Sequence, residues 1–589
     1  ILIKIGIHNV QKLNYQTIHG NIFKTNSKKI FSFENEILFD KAKVINGYWP
    51  FSGDYKSFNS EFPNWHKNYF TKKKSNNKNK NWWMISDFDE NIGDIKCIWE
   101  LSRFDWVIQL SMLVASGENE LIKKLNKNLS NWILHNKPYK GINWKCSQEA
   151  SIRVMHLIFS LIILNQDKNP SRNFIKLIEL HLLRIKPTIL YAMGQNNNHG
   201  TSEAAALFIG GSFLYLNGLK KYKKYSEIGK RWLENRVIKL FSEDGCFSQY
   251  SVNYHRMVID TYTFCQFYRY RNNLKPFSKI LINKIIKATD WLETLIDSKS
   301  GDTPNIGAND GVRLFPFLNI NFRDYRQSVQ WSNFIFKKKI VGSVSKEQIN
   351  IYNHLKGSYT KKIKKRNFVT DKIIYGNDDG FFIYKKKNFL LVFRRPIFKF
   401  RPNQCDVFHI DLTINGNNIL RDGGSYSYNS IQTKLDYYNG FESHNTISYD
   451  DKDQMNKISK FLYSSWLNEK SFSFKSFKNY SVLKSSYINN YGVKHNRNII
   501  FYQKKIKIID SFSGYKKFAK INWRLFPYKW IINESKSNNL IIDLKEKKIN
   551  GKYKLSEGYE SKFYNKESKI PVLKRKILKR KKTETLIKW

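Results

Sequence analysis

The spacing of hydrophobic residues divides the chain into two halves. From about residue 85 to 335, apolar side chains recur at positions i, i+3 and i+4, which is typical of amphipathic helices. The clearest of these segments are 98–116, 120–134, 147–164, 172–193, 229–241 and 254–270. Because the polar breaks between them are short, successive helices are predicted to pack as antiparallel pairs.

From about residue 375 to 589 the hydrophobic period changes to two, which indicates β-strands. The segment "HIDLTINGNNILRDGG" (409–424) predicts a hairpin that turns at Asn415-Gly416. Residues 336–374, rich in Lys, Gly and Ser, read as a connector, and residues 1–84 as an N-terminal segment leading into the helices. The pattern therefore predicts an α+β multidomain protein, with an all-helical part at 85–335 and an all-β part at 375–589.

Composition narrows the class of protein. The chain has 589 residues, of which 41% are hydrophobic and 15% aromatic, so it folds around sizeable cores. The apolar stretch "HLIFSLIIL" (156–164) is too short to span a bilayer. Five scattered cysteines without a CxxC pair argue against a disulfide framework and a thiolate metal cage. They are predicted to be core thiols.

The net charge of +52 favours a polyanionic partner: nucleic acid, an anionic membrane or an acidic polysaccharide. A compositional bias towards Lys, Asn and Ile along the whole chain explains much of this charge as well as a polyanionic partner does. The basic runs at 71–80 and 574–582 predict an exposed loop and a surface strand or tail rather than nucleic-acid arms.

Two polar clusters stand at predicted helix starts. The first, "GQNNNHG" (194–200), precedes an apolar run for which Thr201 or Ser202 is the predicted N-cap. The second, "EDGCFSQYSVNYHRM" (243–257), places Gln249, Tyr254 and His255 before another apolar helix. Such clusters either lie in solvated loops and core contacts or line a cleft that binds an anion at helix N-termini.

A third set of residues lies in the β half. His409, Asp422 and His444 offer two imidazoles and one carboxylate, a donor set that suits zinc with water completing a tetrahedron. A His-Asp-His triple at these spacings also arises by chance, so both interpretations stay open at this point.

The ordered series of motifs resembles the heparinase II/III-like family of polysaccharide lyases, including alginate-lyase-type members. The motifs are "DIKCIWELSRF" (94–104), "GINWKCSQEASIRVMHLI" (141–158), "NNNHGTSEAAAL" (196–207), "DGCFSQYSVNYHRMV" (244–258), "PNIGANDGVRL" (304–314), "HIDLTINGNNILRDGGSYSYN" (409–429) and "HNT" (444–446). The resemblance implies an incomplete (α/α) toroid at 85–335 followed by an antiparallel β-sandwich at 375–589.

The resemblance also implies chemistry, namely β-elimination next to a uronic acid. Asn198 and His199 match the pair that neutralises the substrate carboxylate, and Tyr254, with His255 beside it, matches the catalytic base and acid. His409, Asp422 and His444 match the ligands of a structural zinc ion. In one departure, Val407 stands where many members carry the first histidine of His-x-His-x-Asp.

Further residues match motifs that line the toroid or the cleft, and we expect them to act as sugar platforms and carboxylate clamps. Helix packing is the competing interpretation of the same residues. The expected substrate-binding set is Trp99, Glu100, Arg103, Trp144, Glu149, Arg153, Gln249, Asp310 and Tyr428.

The leading hypothesis is thus a lyase for an acidic polysaccharide such as alginate, a glycosaminoglycan or a bacterial exopolysaccharide, with no nucleic-acid partner. One alternative is a catalytically altered relative that acts in exopolysaccharide or O-antigen synthesis or export, which the Val407 departure suggests. Another is a polyanion binder recruited by charge. The substrate class suggests a periplasmic or secreted protein, with the cytoplasm as the alternative.

Overall fold

The computed structural model describes residues 18–26, 29–30, 40–316, 321–356, 364–533, 539–578 and 582–589. The chain forms two compact units. Unit 1 comprises the described residues up to Phe241 together with Asn253–Gly301 and Asp310–Phe368. Unit 2 comprises Ser242–Val252, Asp302–Asn309 and Val369–Trp589.

Unit 1 is helical. Its helices are α1 (Lys41–Ile45), α2 (Lys96–Ser102), α3 (Asp105–Ser116), α4 (Leu121–His135), α5 (Ser147–Ile163), α6 (Arg172–Ile185), α7 (Ile189–Gly194), α8 (Asn198–Leu216), α9 (Lys223–Leu240), α10 (Val252–Arg271, which starts at the last residue of a unit 2 segment), α11 (Lys279–Leu295), α12 (Arg326–Ser332) and α13 (Lys346–Lys356). Short strands β1 (Trp49–Phe51), β2 (Asp54–Lys56), β3 (Lys339–Val341) and β4 (Lys364–Arg366) form two small sheets. Helix α8 packs against α5, α6, α7 and α9, which makes it the centre of this unit.

Close packing holds α8 in place. Almost all of its residues are buried, and its apolar side chains face neighbours on every side. A Cβ on Gly229 of α9 would lie 2.3 Å from the backbone nitrogen of Phe208, so only glycine permits this approach of the two helices. The first turn of α8 is therefore anchored by a rigid interior helix.

Unit 2 is rich in strands. They are β5 (Lys372–Ile374), β6 (Phe381–Lys386), β7 (Phe389–Arg394), β8 (Ile410–Ile414), β9 (Asn417–Leu420), β10 (Ile447–Tyr449), β11 (Asn456–Ser459), β12 (Leu462–Ser464), β13 (Asn468–Ser476), β14 (Ser481–Ile488), β15 (Lys494–Phe501), β16 (Lys505–Ser513), β17 (Ala519–Arg524), β18 (Ile531–Asn533), β19 (Leu540–Asp543), β20 (Lys548–Asn550), β21 (Lys554–Phe563), β22 (Lys566–Ile577) and β23 (Lys582–Lys588). One helix, α14 (Gln432–Asn439), joins them.

These strands form larger sheets of five (β5-β6-β7-β8-β9), eight (β13-β14-β15-β16-β23-β19-β20-β18) and four strands (β10-β17-β22-β21). Pairing is antiparallel except between β19 and β23 and between β18 and β20. Alternating burial along β14, β15 and β16 directs Leu483, Ile499 and Ile508 into one shared core. A helical part followed by a sheet-rich part confirms the predicted fold class.

The predicted hairpin is confirmed. Strands β8 and β9 pair with Ile414 opposite Asn417, and the connecting residues have φ of 50° at Asn415 and 82° at Gly416. Positive φ at both central residues is the requirement that makes Asn-Gly favourable in a two-residue turn.

The division of the chain differs from the predicted boundaries. Residues 336–368 contribute β3, α13 and β4 to unit 1, although 357–363 lie outside the described residues. Of the N-terminal segment 1–84, residues 1–17, 27–28 and 31–39 also lie outside them.

Three sequence predictions on composition can be compared with the structure. All five cysteines are free, four of them buried and Cys146 half-buried. Among the described helices, none is long and apolar enough to cross a membrane. The basic run 71–80 is largely exposed, whereas 574–577 belong to β22 and 579–581 lie outside the described residues.

Candidate active site and metal centre

The first polar cluster lies on the first turn of α8. Asn197 is the N-cap, with its Oδ1 accepting a hydrogen bond from the backbone N–H of His199 at 3.0 Å. The helix thus begins earlier than predicted, and Thr201 and Ser202 are buried within it rather than capping it. Asn198 and His199 therefore stand at the positive end of the α8 dipole, which favours a negatively charged ligand.

His199 has a carboxylate beside its ring. Its Nδ1 lies 3.6 Å from Oε1 of Glu203, one turn along α8, and a quarter of the His199 side chain is exposed. Ser147 of α5 donates a 2.6 Å hydrogen bond to the same Oε1, and Glu203 is only 1% exposed. Glu203 was not among the predicted site residues; its i, i+4 spacing from His199 was the available signal.

Met257, the last residue of the second polar cluster, contacts Asn198 of the first. Nδ2 of Asn198 lies 3.5 Å from the sulfur of Met257, and Nε2 of Gln148 lies 3.6 Å from the same atom. Met257 follows Tyr254 by three residues on α10, so the two stand on neighbouring positions of one helix face. The first turn of α8 and the first turns of α10 are therefore adjacent within unit 1.

His255 has a different environment from Tyr254. Its Nε2 donates a 2.8 Å hydrogen bond to the carbonyl of Ala288, and its ring stacks on Trp291 of α11 at a centroid distance of 4.6 Å. Burial lowers the pKa of His255 to about 4, so the ring is neutral at pH 7. Successive helical residues point about 100° apart. The structure thus places His255 in the α10–α11 packing rather than beside the Tyr254 hydroxyl, so we assign it no catalytic role.

Arg103 and Glu149, expected to clamp a substrate carboxylate, are bonded to each other. Nε and Nη2 of Arg103 donate to the two carboxylate oxygens of Glu149 at 2.8 and 3.0 Å, and both residues are buried. Glu100 accepts a further bond from Arg103 at 3.3 Å. An arginine whose donors already bind the chain's own carboxylates is not available to a ligand, so this geometry favours the packing interpretation.

Asp310 belongs to the same buried group of charges. Its Oδ2 lies 2.7 Å from Nζ of Lys96 and 3.8 Å from Nη2 of Arg103. Burial acts to raise the pKa of Asp310, but the two cations outweigh it and lower the pKa to about 2. Asp310 is thus an ionised partner in an internal network.

The expected sugar platforms in unit 1 are interior side chains. The indole N–H of Trp99 donates to the Ile142 carbonyl at 2.8 Å, and Trp144 is 1% exposed. Arg153 packs over Trp144 and donates to Nε2 of His181 at 2.9 Å. A sugar stacks on an exposed ring face, and neither indole offers one.

The two expected binding residues of unit 2 are more accessible. Gln249 is half-buried, and its backbone carbonyl accepts a 2.7 Å hydrogen bond from Asn403. Tyr428 is also half-buried, with its ring edge-on to Phe461 at 5.3 Å. They stay predicted substrate contacts.

The predicted metal triad comes together in unit 2. His409 directly precedes β8, Asp422 follows β9, and His444 follows a 3-10 helix at Phe441–Ser443. One potential ligand atom from each lies within 4.8 Å of the others, and all three residues are buried. Oδ2 of Asp422 lies 2.9 Å from Nδ1 of His444 and 3.4 Å from Nε2 of His409.

The burial and chemistry of these three side chains suit a bound metal ion. Nε2 of His409 is buried and has no hydrogen-bond partner among the described residues. It carries the proton of the neutral ring, because Nδ1 accepts from the backbone N–H of Asn445, so metal binding at Nε2 requires that proton to leave. Burial lowers the pKa of His409 to about 3, so its ring is neutral at pH 7, the form that binds metals. Two imidazoles and one carboxylate in a dry interior fit zinc.

Asn445 connects the three ligand-bearing segments, and sequence reasoning missed it. Its backbone N–H donates to Nδ1 of His409 at 2.9 Å. Its side-chain Nδ2 donates to the carbonyls of Ile410 at 2.8 Å and Arg421 at 3.3 Å, the residues that follow His409 and precede Asp422. The position of Asn445 directly after His444 was the only signal in the sequence.

Arg497 supports the same segments from β15. Its Nη1 donates to the carbonyls of Phe408 and Asn445, and it forms a buried ion pair with Asp510. Val407, which the resemblance places at the first histidine of His-x-His-x-Asp, is fully buried in the unit 2 core and makes apolar contacts there.

Comparison with known families agrees with this organisation. A model described as "Heparinase II/III N-terminus" matches residues 53–302, and one described as "Heparinase II/III-like, C-terminal" matches residues 371–578. No curated protein matches the chain by sequence.

Solved structures share the fold at low identity. The heparan sulfate lyase HepC of Pedobacter heparinus, in a mutant form, is 17% identical, with a TM-score of 0.55 over 99% of this chain and 87% of that one. A heparinase III structure is 15% identical, with a TM-score of 0.61 over 99% and 89%. A Streptomyces coelicolor chondroitin AC lyase in complex with chondroitin sulphate is 8% identical, with a TM-score of 0.50 over 82% and 73%.

Proposed function

The chain belongs to the heparinase II/III-like family, and from this premise we propose that it is a polysaccharide lyase that cleaves a uronic-acid-containing polysaccharide by β-elimination. Its structural neighbours include glycosaminoglycan lyases, so an acidic glycosaminoglycan is the first substrate class to test. The observation that carries the proposal is the approach of Asn198 to the first turns of α10, which bear Tyr254.

The reaction requires the protein to stabilise negative charge on the substrate carboxylate and to transfer a proton. The C5 proton of a uronic acid is weakly acidic, and its removal places negative charge on the adjacent carboxylate. Preorganised hydrogen-bond donors around that carboxylate stabilise the enolate-like transition state. The Asn198 amide and the His199 imidazole supply such donors at the N-terminus of α8, where the helix dipole adds to them.

Tyr254 is proposed to move the proton. As a phenolate it takes the C5 proton, the C5–H electron pair forms the C4=C5 double bond, and the C4–O bond breaks. The resulting phenol then protonates the departing oxygen, which restores the phenolate. Because the ordinary phenol pKa is about 10, cationic surroundings must favour the phenolate at neutral pH.

Glu203 is proposed to position His199. A carboxylate next to Nδ1 accepts its N–H and orients the ring, so that Nε2 faces the ligand side; Nε2 donates to the substrate carboxylate when the ring is protonated on both nitrogens. The hydrogen bond from Ser147 holds Oε1 of Glu203 in place for this role.

We also propose that His409, Asp422 and His444 bind zinc. A bound zinc ion would serve as a structural cross-link between the segments that carry its ligands. The clustering of the donors and their burial support this proposal.

The test of the function is a screen of purified protein against uronic-acid polymers. Formation of the unsaturated uronate is followed by its ultraviolet absorbance. Tyr254→Phe is expected to abolish product formation and leave binding intact. Tyr268→Phe removes a buried hydroxyl from the same helix and serves as the matched control.

The outcomes separate the alternatives. Equal turnover by Tyr254→Phe and Tyr268→Phe would exclude Tyr254 as the base. Tight binding without absorbance on any polymer would instead favour a catalytically altered relative, for which the Val407 departure is the motivating observation.

A further inference from the structure

A cavity of about 610 Å³ lies in unit 1, apart from the residues assigned to the active site. Its walls come from the segment 60–66, the segment 74–78 and the last turns of α4 at Asn131 and His135. Backbone hydrogen bonds from Ser75 to the His66 carbonyl and from Asn68 to the Lys73 carbonyl join the two segments. Its volume falls within the range of small-molecule sites.

His66 lines this cavity, and its ring holds one buried acceptor. Its Nε2 lies 3.1 Å from the carbonyl oxygen of His135. A carbonyl only accepts, so Nε2 carries the proton and Nδ1 of the neutral ring bears a lone pair. The residue is 8% exposed, and Nδ1 has no hydrogen-bond partner among the described residues. Burial lowers the pKa of His66, which keeps the ring in this neutral form.

Asparagine side chains also line the cavity. Asn64, Asn76 and Asn131 contribute to its walls, and amides bond readily to hydroxyls. Because Nδ1 of His66 is itself buried, these asparagines are the groups that a hydroxyl-bearing ligand would meet.

The charge of the cavity is positive. The carboxylate of Glu61 is paired with Lys127 at 2.5 Å, so its charge is compensated. Lys74 and Lys78 are both exposed, and neither makes an ion pair with any residue that the structure describes. A ligand for this cavity therefore carries a negative charge as well as hydroxyl groups.

We propose that this cavity is a second, non-catalytic binding site for an acidic sugar unit of a polysaccharide chain. The hydroxyls of the sugar would bond to the side-chain amides of Asn64, Asn76 and Asn131, and its carboxylate or sulfate would face Lys74 and Lys78. The proposal rests on the proposed function for its choice of polymer. Such a site adds affinity by holding the chain at a second point.

The lining favours a sugar over a nucleic acid. Non-specific binding of single strands relies on aromatic rings on which bases stack. Trp65 is 2% exposed, and its N–H is bonded to Asn131 at 2.8 Å, so it offers no open face to a base. Phe62 also lines the cavity and is half-buried, with Nζ of Lys127 5.7 Å from its ring centroid. A strand needs successive rings, and these two side chains offer at most one.

A direct test is lysine acetylation followed by mass spectrometry, using a heparan sulfate hexasaccharide as the probe. Lys74 and Lys78 are expected to be protected at least threefold, while Lys72 and Lys73, exposed residues of the same basic run that do not line the cavity, are expected to react unchanged. Equal protection of all four lysines would overturn the proposal, because it would show diffuse charge attraction. Equal protection by inorganic sulfate or by a single-stranded DNA of equal charge would also overturn it.

A paired set of variants tests the consequence for the polymer. Lys74→Ala with Lys78→Ala is expected to weaken hexasaccharide binding about five- to tenfold, as expected for two lost ionic contacts. Lys72→Ala with Lys73→Ala removes the same charge and is expected to change binding less than twofold. Indistinguishable affinities of the two pairs would overturn the proposal.

Turnover distinguishes this proposal from the proposed function. On a polymer that the protein cleaves, the Lys74/Lys78 pair is expected to raise KM about fivefold with kcat unchanged. If the hexasaccharide protects Lys74 and Lys78 from acetylation but no polymer yields product, the second binding site stands and the lyase assignment is overturned. If product forms and the two double variants have the same KM, the lyase assignment stands and the second binding site is overturned.

Discussion

Arg103 and Glu149 form a bidentate ion pair in the interior of unit 1, with Nε and Nη2 of the arginine 2.8 and 3.0 Å from the two carboxylate oxygens. The arginine extends from the C-terminal end of α2, and the glutamate lies on the first turn of α5. Glu100 and Asp310 face the same guanidinium. One buried cation therefore compensates several carboxylates at once.

Arg103→Met is expected to destabilise the protein strongly. It removes the cation and leaves buried carboxylates without their partner, which typically costs about 3–5 kcal/mol. Lys123→Met, which breaks a solvent-exposed pair with Glu120, is the control and is expected to change little. Urea unfolding followed by circular dichroism measures both. Equal midpoints for the two variants would contradict the assigned role of Arg103.

The lowered pKa of Asp310 predicts that the folded protein loses stability in acid. Its pKa is lowered to about 2 in the folded protein, against about 3.9 in an unfolded chain. Its contribution is fully present above pH 4 and is lost as the pH falls towards 2; it amounts to about 2 kcal/mol. Asp310→Asn is expected to flatten the stability profile between about pH 4 and pH 2. Thermal unfolding at a series of pH values measures this, and an unchanged slope would refute it.

Glu203→Gln is expected to reduce turnover on a cleaved polymer about tenfold or more, because the amide lacks the charge that orients His199. The mutation is also expected to change the pH dependence of kcat/KM, which a purely structural defect would leave alone. Glu227→Gln, an exposed change on α9, is the control. A profile identical to that of the parent would remove Glu203 from the site.

Asn445→Ala removes the side-chain bonds to the carbonyls of Ile410 and Arg421 and is expected to weaken metal binding about 10- to 100-fold, the usual effect of losing a group that orients metal ligands. Asn496→Ala, an exposed change on β15, is expected to bind as the parent does. Zinc content by elemental analysis and competition with a chromophoric chelator provide the measurement. A folded parent protein that binds no zinc would refute the metal site, and equal affinities would refute the role of Asn445.

The fold class followed from local patterns. Helical and strand periods depend on residues a few positions apart, so a single sequence displays them. The Asn415-Gly416 turn followed for the same reason, since positive φ is a property of the residues themselves. The start of α8 did not, because Asn197, Thr201 and Ser202 are all acceptable caps and only the packing of the helix selects one of them.

The sequence predicted which residues belong to the candidate site better than it predicted which contacts they make. The motifs drew attention to Asn198, Tyr254 and the triad of His409, Asp422 and His444, and the structure brings the triad together. The sequence could not separate Tyr254 from His255, because adjacent residues share a motif yet face different neighbours on a helix. Asn445 was missed since an asparagine between other polar residues carries no local sign of its partners.

The sequence alone thus determined which segments are helices and strands, where one hairpin turns, and which side chains carry suitable chemistry. Only the tertiary structure decided that Arg103 is occupied by Glu149, that Ser147 bonds to Glu203, and that the His66 ring buries an acceptor with no partner among the described residues. The reason is physical: periodicity and turn preference are local properties, whereas each buried partnership depends on how elements distant in the chain pack together.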